Sequence, residues 1–521
     1  MASGGDIMRT HIGKGRSHRI VVGVMAAVAV ALSVPVVVAS AVPVAVQIGS
    51  DPFTQATCSA SGATNHQASV EPDSFSNGST IVASYQVGRI FDGGACAIGF
   101  STSTNNGATW ASGLLPGLTK YTSPAGTFDR VTDPAVAYDA QDNVWMVSSL
   151  VLTEAGGVKG VAIYTSRSTD GGFTWGTPVL TNNTSLSPDK NWIVCDNSVS
   201  SAFYGNCYTE WDDNGAGNRL EMSTSTDGGL TWGAALTNNA GVIGGQPVVS
   251  PNGTVIVPTA NANETGIGAF NSTDGGLSWS AVTTIATIKH HTVAGSLREG
   301  PLPSAEIDAT GTVYVAWTDC RFRKACKAND IVISHSLNAT GTSWSAVTRI
   351  PIDGTSSGVD HFIPGLAVNK ATSGATAQLG LTYYFYPPRS TQLSVGFTSS
   401  ANAGGTWTTA STIIGGMSST WAANTSQGRM VGDYISTSFD SVGLAHGIFG
   451  VALTPTTGAA TSCTTSGLDN CRASINTFTP GLAATGSASG LADPVLFSGS
   501  GGAAAANLWN LVDNNGIKHR D

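Results

Sequence analysis

One short pattern recurs along the chain and sets the strongest limit on its fold. Three copies are nearly identical: STDGGFTWG begins at Ser168, STDGGLTWG at Ser225 and STDGGLSWS at Ser272. Looser copies, STNNGATW, SLNATGTSW and SANAGGTW, begin at residues 103, 336 and 400, so successive copies start 65, 57, 47, 64 and 64 residues apart. Periods of this length are typical of supersecondary units that repeat and stack against one another.

The residues around each copy predict four β-strands per repeat. PAVAYD, NVWMVSSL and GVAIYTSRS precede the copy at Ser168 and TPVLT follows it; all are short and rich in β-branched or aromatic residues. LPSAEID, TVYVAWTD, DIVISHS and SAVTRI surround the copy at residue 336 in the same order. The sequence therefore predicts an all-β fold, a β-propeller of four-stranded antiparallel blades.

The number of blades follows from the pairs of first and second strands. SVEPDSF and TIVASYQV precede the first copy, and GDYISTSFD and AHGIFGVAL follow the last, which brings the count to seven pairs. We predict seven blades, with six as the alternative. The last blade would take its third strand near RASINTF and its fourth from residues 44–56, which would close the ring.

The repeated pattern lies between the third and fourth strands, and its residue types suit a tight turn. The aspartate can accept hydrogen bonds from turn amides, and the glycines supply backbone conformations that a Cβ opposes. The tryptophan would cover the apolar edge between sheets. We therefore predict a structural role, not a catalytic one, for Asp170, Asp227 and Asp274.

These strings resemble the Asp-box, or bacterial neuraminidase, repeats of sialidases and related propellers, over roughly residues 60–460. The Asp-box turns follow third strands, so the resemblance implies a ligand funnel at the other end, among the second-to-third loops and the links between blades. In sialidases, arginines hold the sugar carboxylate, an acid protonates the leaving oxygen, and a tyrosine activated by glutamate is the nucleophile.

Residues of these types fall at the ends of strands that would surround the funnel. The resemblance implies the arginine candidates Arg89, Arg298 and Arg429. It implies Asp133 or Asp360 as the acid. It implies Tyr434 with Glu299 as the nucleophile pair. Further candidates for substrate binding are Arg321, His361 and Glu210.

Structural interpretations of some candidates stay open. Arginine and aspartate at strand starts can tie neighbouring blades together, as at Arg130 with Asp133 and at Arg429 with Asp433. For His361 we favour a hydrogen-bonded position in the core. Arg321 belongs to the basic loop CRFRKACK, which is either a solvated rim or a surface that attracts anionic ligands.

Composition limits the partners. The chain has 24 lysines and arginines against 33 aspartates and glutamates, a net charge of -9, which gives no basic footprint for nucleic acid or a membrane surface. No CxxC or histidine-rich spacing occurs, so neither a metal nor a cofactor is predicted. DDNGAGN from Asp212 is weakly similar to a calcium loop but lacks the final glutamate of an EF-hand, so a plain turn is favoured. The expected partner is a glycan or glycoconjugate, bound by a monomer.

The N-terminus indicates export. Four basic residues precede the apolar run Ile20–Val38, which ends in Ala39-Ser40-Ala41. This order is typical of a signal peptide cleaved after Ala41, with an uncleaved anchor as the alternative. The predicted division is 1–41 signal peptide or anchor, 42–60 linker or ring-closing strand, 61–480 propeller and 481–521 a tail rich in Gly, Ala and Ser.

Eight cysteines, an even number, fit an oxidising compartment. We favour disulfides over free buried thiols. Short spacings suggest three local pairs, Cys195 with Cys207, Cys320 with Cys326 and Cys463 with Cys471, which leaves Cys58 with Cys96.

Two functions follow from these observations. The favoured one is a secreted, sialidase-like glycoside hydrolase that acts on terminal acidic sugars of extracellular glycans. The alternative is a non-catalytic propeller that binds glycan or protein at the cell surface.

Overall fold

The computed structural model describes residues 44–455, 463 and 471–485, all within one unit that spans Pro43–Asp521. The signal peptide or anchor predicted for 1–41, and residues 486–521 of the tail predicted for 481–521, lie outside the described residues. The described chain is all-β, as predicted. Its helical elements are four short 3-10 turns: Asn214–Ala216, Lys324–Cys326, Gly374–Thr376 and Ser419–Trp421. None of the described helices is long and apolar enough to cross a membrane.

After an N-terminal strand, β1 (Val44–Gly49), we divide the strands along the chain into seven consecutive groups, each built around antiparallel neighbours. The first, second and seventh of these groups are joined, together with β1, in one 13-stranded sheet. The first group holds β2 (Thr64–Asn77), β3 (Thr80–Ile90), β4 (Ala95–Ser103) and β5 (Ala111–Leu114). The second holds β6 (Arg130–Asp139), β7 (Val144–Thr153), β8 (Lys159–Ser168) and β9 (Val179–Asn182). The third holds β10 (Pro188–Cys195), β11 (Cys207–Asp213) and β12 (Arg219–Ser225). The fourth holds β13 (Val242–Ile243), β14 (Val248–Val249), β15 (Val255–Asn261), β16 (Gly266–Ser272) and β17 (Thr283–Thr287).

The fifth group holds β18 (Ser304–Ile307), β19 (Val313–Asp319), β20 (Asp330–His335) and β21 (Thr348–Arg349). The sixth holds β22 (Asp360–Val368), β23 (Leu379–Tyr386), β24 (Gln392–Ser400) and β25 (Ser411–Ser418). A hairpin of β26 (Ala423–Thr425) and β27 (Gly428–Met430) follows. The seventh holds β28 (Ser436–Phe439), β29 (Leu444–Leu453) and β30 (Arg472–Thr479), with β31 (Leu482–Ala483) beside β29.

The two ends of the described chain meet in the seventh group. The strand β1 pairs antiparallel with β30, and Val46 lies opposite Thr477. This is the position that the sequence predicted for residues 44–56, and β30 contains the predicted third strand RASINTF.

Apolar residues pack between neighbouring groups rather than in one common centre. Trp317 of the fifth group packs with Ile256 of the fourth, and Phe397 of the sixth packs with Phe449 of the seventh. The first strand of the fourth group is interrupted and consists of β13 and β14, which both pair with β15. The first strands of all seven groups contribute residues, through β2, β6, β10, β14, β18, β22 and β28, to one cavity of about 260 Å³, which we call the central cavity.

The turns formed by the repeated pattern, for which we keep the name Asp-box turns, have the structural role that the sequence predicted. Asp170 Oδ1 accepts hydrogen bonds from the amides of Phe173 (3.1 Å) and Thr174 (2.9 Å), and Trp175 Nε1 donates to the Gly172 carbonyl at 3.1 Å. Burial raises the pKa of Asp170 slightly, but the bonds from Thr174 and Ser168 outweigh it, and the pKa is lowered. An ionised acceptor therefore holds this turn closed.

The second glycine of the box is required by contact with the preceding group. A Cβ at Gly229 would lie 2.5 Å from Met146 Sδ, and one at Gly341 would lie 2.7 Å from Ile256 Cγ2. The turn of the first group has the same relation to the seventh, since a Cβ at Gly107 would lie 2.6 Å from the ring of His446.

All four predicted disulfides are confirmed. They are Cys58–Cys96, Cys195–Cys207, Cys320–Cys326 and Cys463–Cys471. Three close loops of 12 residues or fewer, and the fourth ties the segment after β1 to β4.

Candidate functional site

Register shifts in three of the first strands orient charged side chains towards the same region. The pairing register shifts after Val70, Thr132 and Asp189, and the next residue of each strand, Glu71, Asp133 or Lys190, has a positive φ of 60°, 47° or 49°. Such bulges bend a strand and re-aim a side chain. Non-glycine residues with positive φ are uncommon and collect at functional sites.

The three re-aimed residues form a buried ion network, which we call the lysine cluster (Glu71, Asp133, Lys190, Arg298 and Asp433). Lys190 Nζ lies 3.4 Å from Glu71 Oε1, 3.4 Å from Asp133 Oδ1, and in closer contact with Asp433 Oδ2. Arg298 forks onto the same aspartate, with Nε 2.8 Å from Oδ1 and Nη2 against Oδ2.

Burial and charge act in opposite directions within the lysine cluster. Burial raises the pKa of Glu71 to about 7, although Lys190 partly counteracts it. Burial raises the pKa of Asp133 as well. For Asp433 the attraction of Arg298 and Lys190 outweighs burial, and its pKa falls well below the usual value. Asp433 is therefore the permanent anion of the cluster, whereas Glu71 can be protonated near neutral pH.

Beside the lysine cluster lies a pair of histidine–carboxylate contacts, which we call the acid–histidine cluster (His290, His291, Glu299 and Asp360). His290 Nε2 lies 2.7 Å from Glu299 Oε2, and His291 Nε2 lies 3.7 Å from Asp360 Oδ2. The histidine side chains are 23% and 35% exposed, whereas the carboxylate side chains are 1% and 10% exposed, so solvent reaches this cluster through its histidines.

The acid–histidine cluster holds a carboxyl group suited to proton transfer. Burial raises the pKa of Asp360 to about 6; the Asn329 amide and His291 oppose this rise, while Glu299 reinforces it. Burial lowers the pKa of His290, but its hydrogen bond to Glu299 outweighs burial and the pKa is raised. An acid with a pKa near the working pH, beside a second carboxylate, is the arrangement that general acid catalysis needs.

The three arginine candidates lie on adjacent segments but bind different partners. The Arg298 amide donates to the Arg429 carbonyl at 2.6 Å, and Arg89 Nε lies 3.2 Å from Met430 Sδ. The guanidinium of Arg89 is buried and donates to the carbonyls of Ile90 and Gly94, while Arg429 donates to the Cys463 carbonyl. Only Arg298 of these three binds a carboxylate among the described residues.

Tyr434 and Glu299 are each bonded elsewhere. The Tyr434 hydroxyl is buried and donates to the Pro134 carbonyl at 3.0 Å, and its ring packs edge-on against Trp192 at 4.9 Å. Burial, reinforced by the charge of Glu71, raises the pKa of Tyr434 well above its usual value. Glu299 instead accepts from His290.

The remaining candidates occupy separate surroundings. Arg321 binds Asp319 of its own loop at 2.7 Å. His361 is 1% exposed and burial lowers its pKa to about 3, which fits the core position favoured for it. Glu210 is fully buried, neither carboxylate oxygen has a hydrogen-bond partner, and burial raises its pKa well above the usual value.

Within the described residues, two groups have the spacing of metal ligands, and both are otherwise engaged. Cys58 and Cys96, beside His66, form a disulfide. The other group is Asp330, Asp353 and His361, whose two carboxylates are bound by arginines 323 and 349. At the segment DDNGAGN, Asp212 accepts from Asn218 and Asp213 accepts from backbone amides.

The sequence analysis did not identify His290 and His291. They lie in the link between the fourth and fifth groups, where no strand periodicity marks a position. A usable signal existed, because two adjacent histidines stand eight residues before Arg298 in a chain with only nine histidines.

No protein-family model matches the sequence, and no curated protein matches it. Similar solved structures include a polysaccharide lyase that is an ulvan lyase, with 9% sequence identity and a TM-score of 0.46 over 80% of this chain and 94% of that one. They include a protein of unknown function from Dyadobacter fermentans, with 16% identity and a TM-score of 0.42 over 66% of this chain and 96% of that one. They also include the NanB sialidase from Streptococcus pneumoniae, with 12% identity and a TM-score of 0.40 over 82% of this chain and 69% of that one. Likenesses of this strength assign no activity to the chain.

Proposed function

We propose that the seven strand groups are the blades of one closed β-propeller of the Asp-box type. Three contacts support closure: all seven first strands contribute to the central cavity, β1 pairs with β30, and the turn at Gly107 packs against His446 of the last group. A closed ring would leave no open sheet edge between the first and last groups.

We propose further that the chain is a secreted glycoside hydrolase that acts on terminal acidic sugars of glycans. The observation that carries the proposal is the nearly buried Asp360, which lies 3.7 Å from the partly exposed His291 and whose pKa is raised by burial to about 6, within the electrostatic influence of Glu299. The four disulfides are consistent with an extracellular protein.

The residues of the site suggest roles in this reaction. Asp360 would protonate the glycosidic oxygen as the bond to the leaving group breaks. Glu299, held by His290, would act on the opposite face of the sugar ring, either directly or through a water molecule. Arg298 binds Asp433 through Nε and Nη2, which leaves Nη1 to meet the carboxylate of an acidic sugar.

The test is release of fluorophore from a panel of aryl glycosides, including a sialoside and uronides, between pH 4 and pH 8. We expect Asp360→Asn to reduce kcat/KM at least 100-fold, since a positioned acid contributes about 100-fold or more. Asp274→Asn is the matched control: the same change of acid to amide, in an Asp-box turn. Equal activity of Asp360→Asn and Asp274→Asn would contradict the proposed role of Asp360.

One observation favours the alternative of a non-catalytic, glycan-binding propeller. Two of the three arginine candidates, Arg89 and Arg429, donate to backbone carbonyls of the protein itself. Retention on a glycan array with no turnover of any aryl glycoside would select this alternative. In that case Arg298→Ala should abolish retention of acidic glycans, while Asp360→Asn should preserve it.

A further inference from the structure

The central cavity contains charged side chains that take no part in either cluster described above. It is bounded near the Asp-box turns by the turns that follow β2, β22 and β28. Asp73 and Phe75 lie on β2, Glu306 lies on β18, and Lys370 follows β22. We call these four residues the cavity quartet.

Lys370 is the cation of the quartet. Its Nζ lies 3.6 Å from the centre of the Phe75 ring, and it forms no ion pair with any carboxylate of the described residues. A cation over an aromatic face is attracted to it but keeps its remaining hydrogen-bond donors available.

The acids of the quartet lie within electrostatic reach of Lys370 without contacting it. Desolvation lowers the pKa of Lys370, and the negative charges of Glu306 and Asp73 oppose this change. Burial raises the pKa of Glu306, and the positive charge of Lys370 opposes that change. Asp73 also accepts a hydrogen bond from the Val136 amide at 2.7 Å. Opposite charges thus line one cavity without direct contact: Asp73 is buried, Glu306 is half-buried and Lys370 is exposed to solvent. A carboxylate that is removed from water is costly unless a partner completes it.

We propose that this end of the central cavity binds a small zwitterion, with its carboxylate at Lys370 and its ammonium at Glu306 and Asp73. An anion alone would face two acidic side chains, and a cation alone would face the lysine. A ligand that carries both charges can pair its carboxylate with the lysine and its ammonium with the two acids. The space that adjoins the cavity at this end, about 390 Å³, lies within the range that small-ligand sites offer. The proposal is independent of the proposed function.

The experiment compares three probes of nearly equal size by isothermal titration calorimetry at pH 8: 4-aminobutyrate, butyrate and butylamine. At pH 8 Glu306 is ionised, because burial raises its pKa only to about 7. We expect 4-aminobutyrate to bind with a Kd of about 1 mM. We expect butyrate and butylamine to bind at least tenfold more weakly.

Two variants and one control tie the binding to the quartet. Lys370→Met and Glu306→Gln should each weaken 4-aminobutyrate at least tenfold, while Lys159→Met, at an exposed lysine of β8, should leave it unchanged. Thermal unfolding shows whether each variant is folded. The proposal is overturned by equal binding of butyrate and 4-aminobutyrate, by no saturable binding of the zwitterion, or by unchanged affinity in folded Lys370→Met.

Discussion

The two ends of the first strands use acidic residues in opposite ways. At the Asp-box end, Asp170 is exposed, accepts amide and hydroxyl hydrogen bonds from residues two to four positions away, and has a lowered pKa. At the other end, Glu71 and Asp133 are buried, contact a lysine far along the chain, and have raised pKa values. The role of an acid here depends on the groups that donate to it and on whether water reaches it.

The difference also concerns how much of the fold each end depends on. A turn closed by Asp170 involves a single hairpin, whereas Lys190 joins the first, second and third groups to Asp433 next to the seventh. Substitutions in the lysine cluster should therefore lower the free energy of unfolding more than substitutions in the Asp-box turns.

The largest effect is expected from Lys190→Met. The substitution removes the common partner of three buried carboxylates, and removal of one partner from a buried ion network costs about 3–5 kcal/mol. Chemical denaturation should show a loss of stability of this size, while Lys159→Met at an exposed position should change it little. A loss under 1 kcal/mol for Lys190→Met would contradict the role of Lys190 as the common partner of these carboxylates.

The next largest effect is expected from Gly229→Ala in the Asp-box turn of the third group. Gly229 has a φ of 78°, and the new Cβ would lie 2.5 Å from Met146 Sδ in the preceding group. We expect a loss of about 2–3 kcal/mol from backbone strain and steric overlap together.

Gly156→Ala separates the two contributions to this cost. Gly156 has a similar φ of 74°, but a Cβ there meets no atom within 4 Å. It should lose only about 1 kcal/mol, the cost of the backbone conformation alone. Equal losses at the two glycines would mean that the contact with Met146 is readily relieved.

The hairpin chemistry of the boxes could be predicted from the sequence because every partner is local. The aspartate, the amides that donate to it and the glycine all lie within nine residues, and the repetition of the string made the pattern visible. The cysteine pairs could be predicted for a similar reason, since three of them are separated by 12 residues or fewer.

The partners in the site depend on how the groups are arranged in space. Lys190 is 119 residues from Glu71 and 243 from Asp433, so residue types identified candidates but not contacts. The expected pairing of Tyr434 with Glu299 illustrates this: the bend before β28 turns the tyrosine inward, towards Pro134. His290 and His291 were missed because an irregular link carries no periodic pattern.

A third prediction concerns pH and compares the same two ends. Burial raises the pKa of Glu71 to about 7, so the folded state binds a proton that the unfolded state has already released. The stabilisation from this bound proton is complete below the pKa that Glu71 has in the unfolded state, and it is lost as the pH rises through about 7. Between pH 6 and pH 8 this loss is about 1 kcal/mol.

Glu71→Gln should therefore flatten the fall in stability between pH 6 and pH 8, measured by denaturation at each pH. Asp227→Asn should leave the slope of the wild type unchanged. The pKa of Asp227 is lowered by its bonds to Thr231 despite slight burial, so its contribution varies only at acidic pH. An unchanged slope in Glu71→Gln would assign the titration to other buried acids.

The smallest effect is expected from replacing a box aspartate by asparagine. Asp170 uses Oδ1 to accept the amides of Phe173 and Thr174, and an asparagine keeps that acceptor. The chain already contains this arrangement, since Asn402 Oδ1 accepts the Thr406 amide at 2.8 Å. Asp170→Asn should therefore change stability by no more than about 0.5 kcal/mol. Asp170→Ala, which removes the acceptor, should cost about 1 kcal/mol. If asparagine proved as damaging as alanine, the negative charge rather than the acceptor geometry would be holding the turn, and the two ends of the molecule would use their acids more similarly than the contacts indicate.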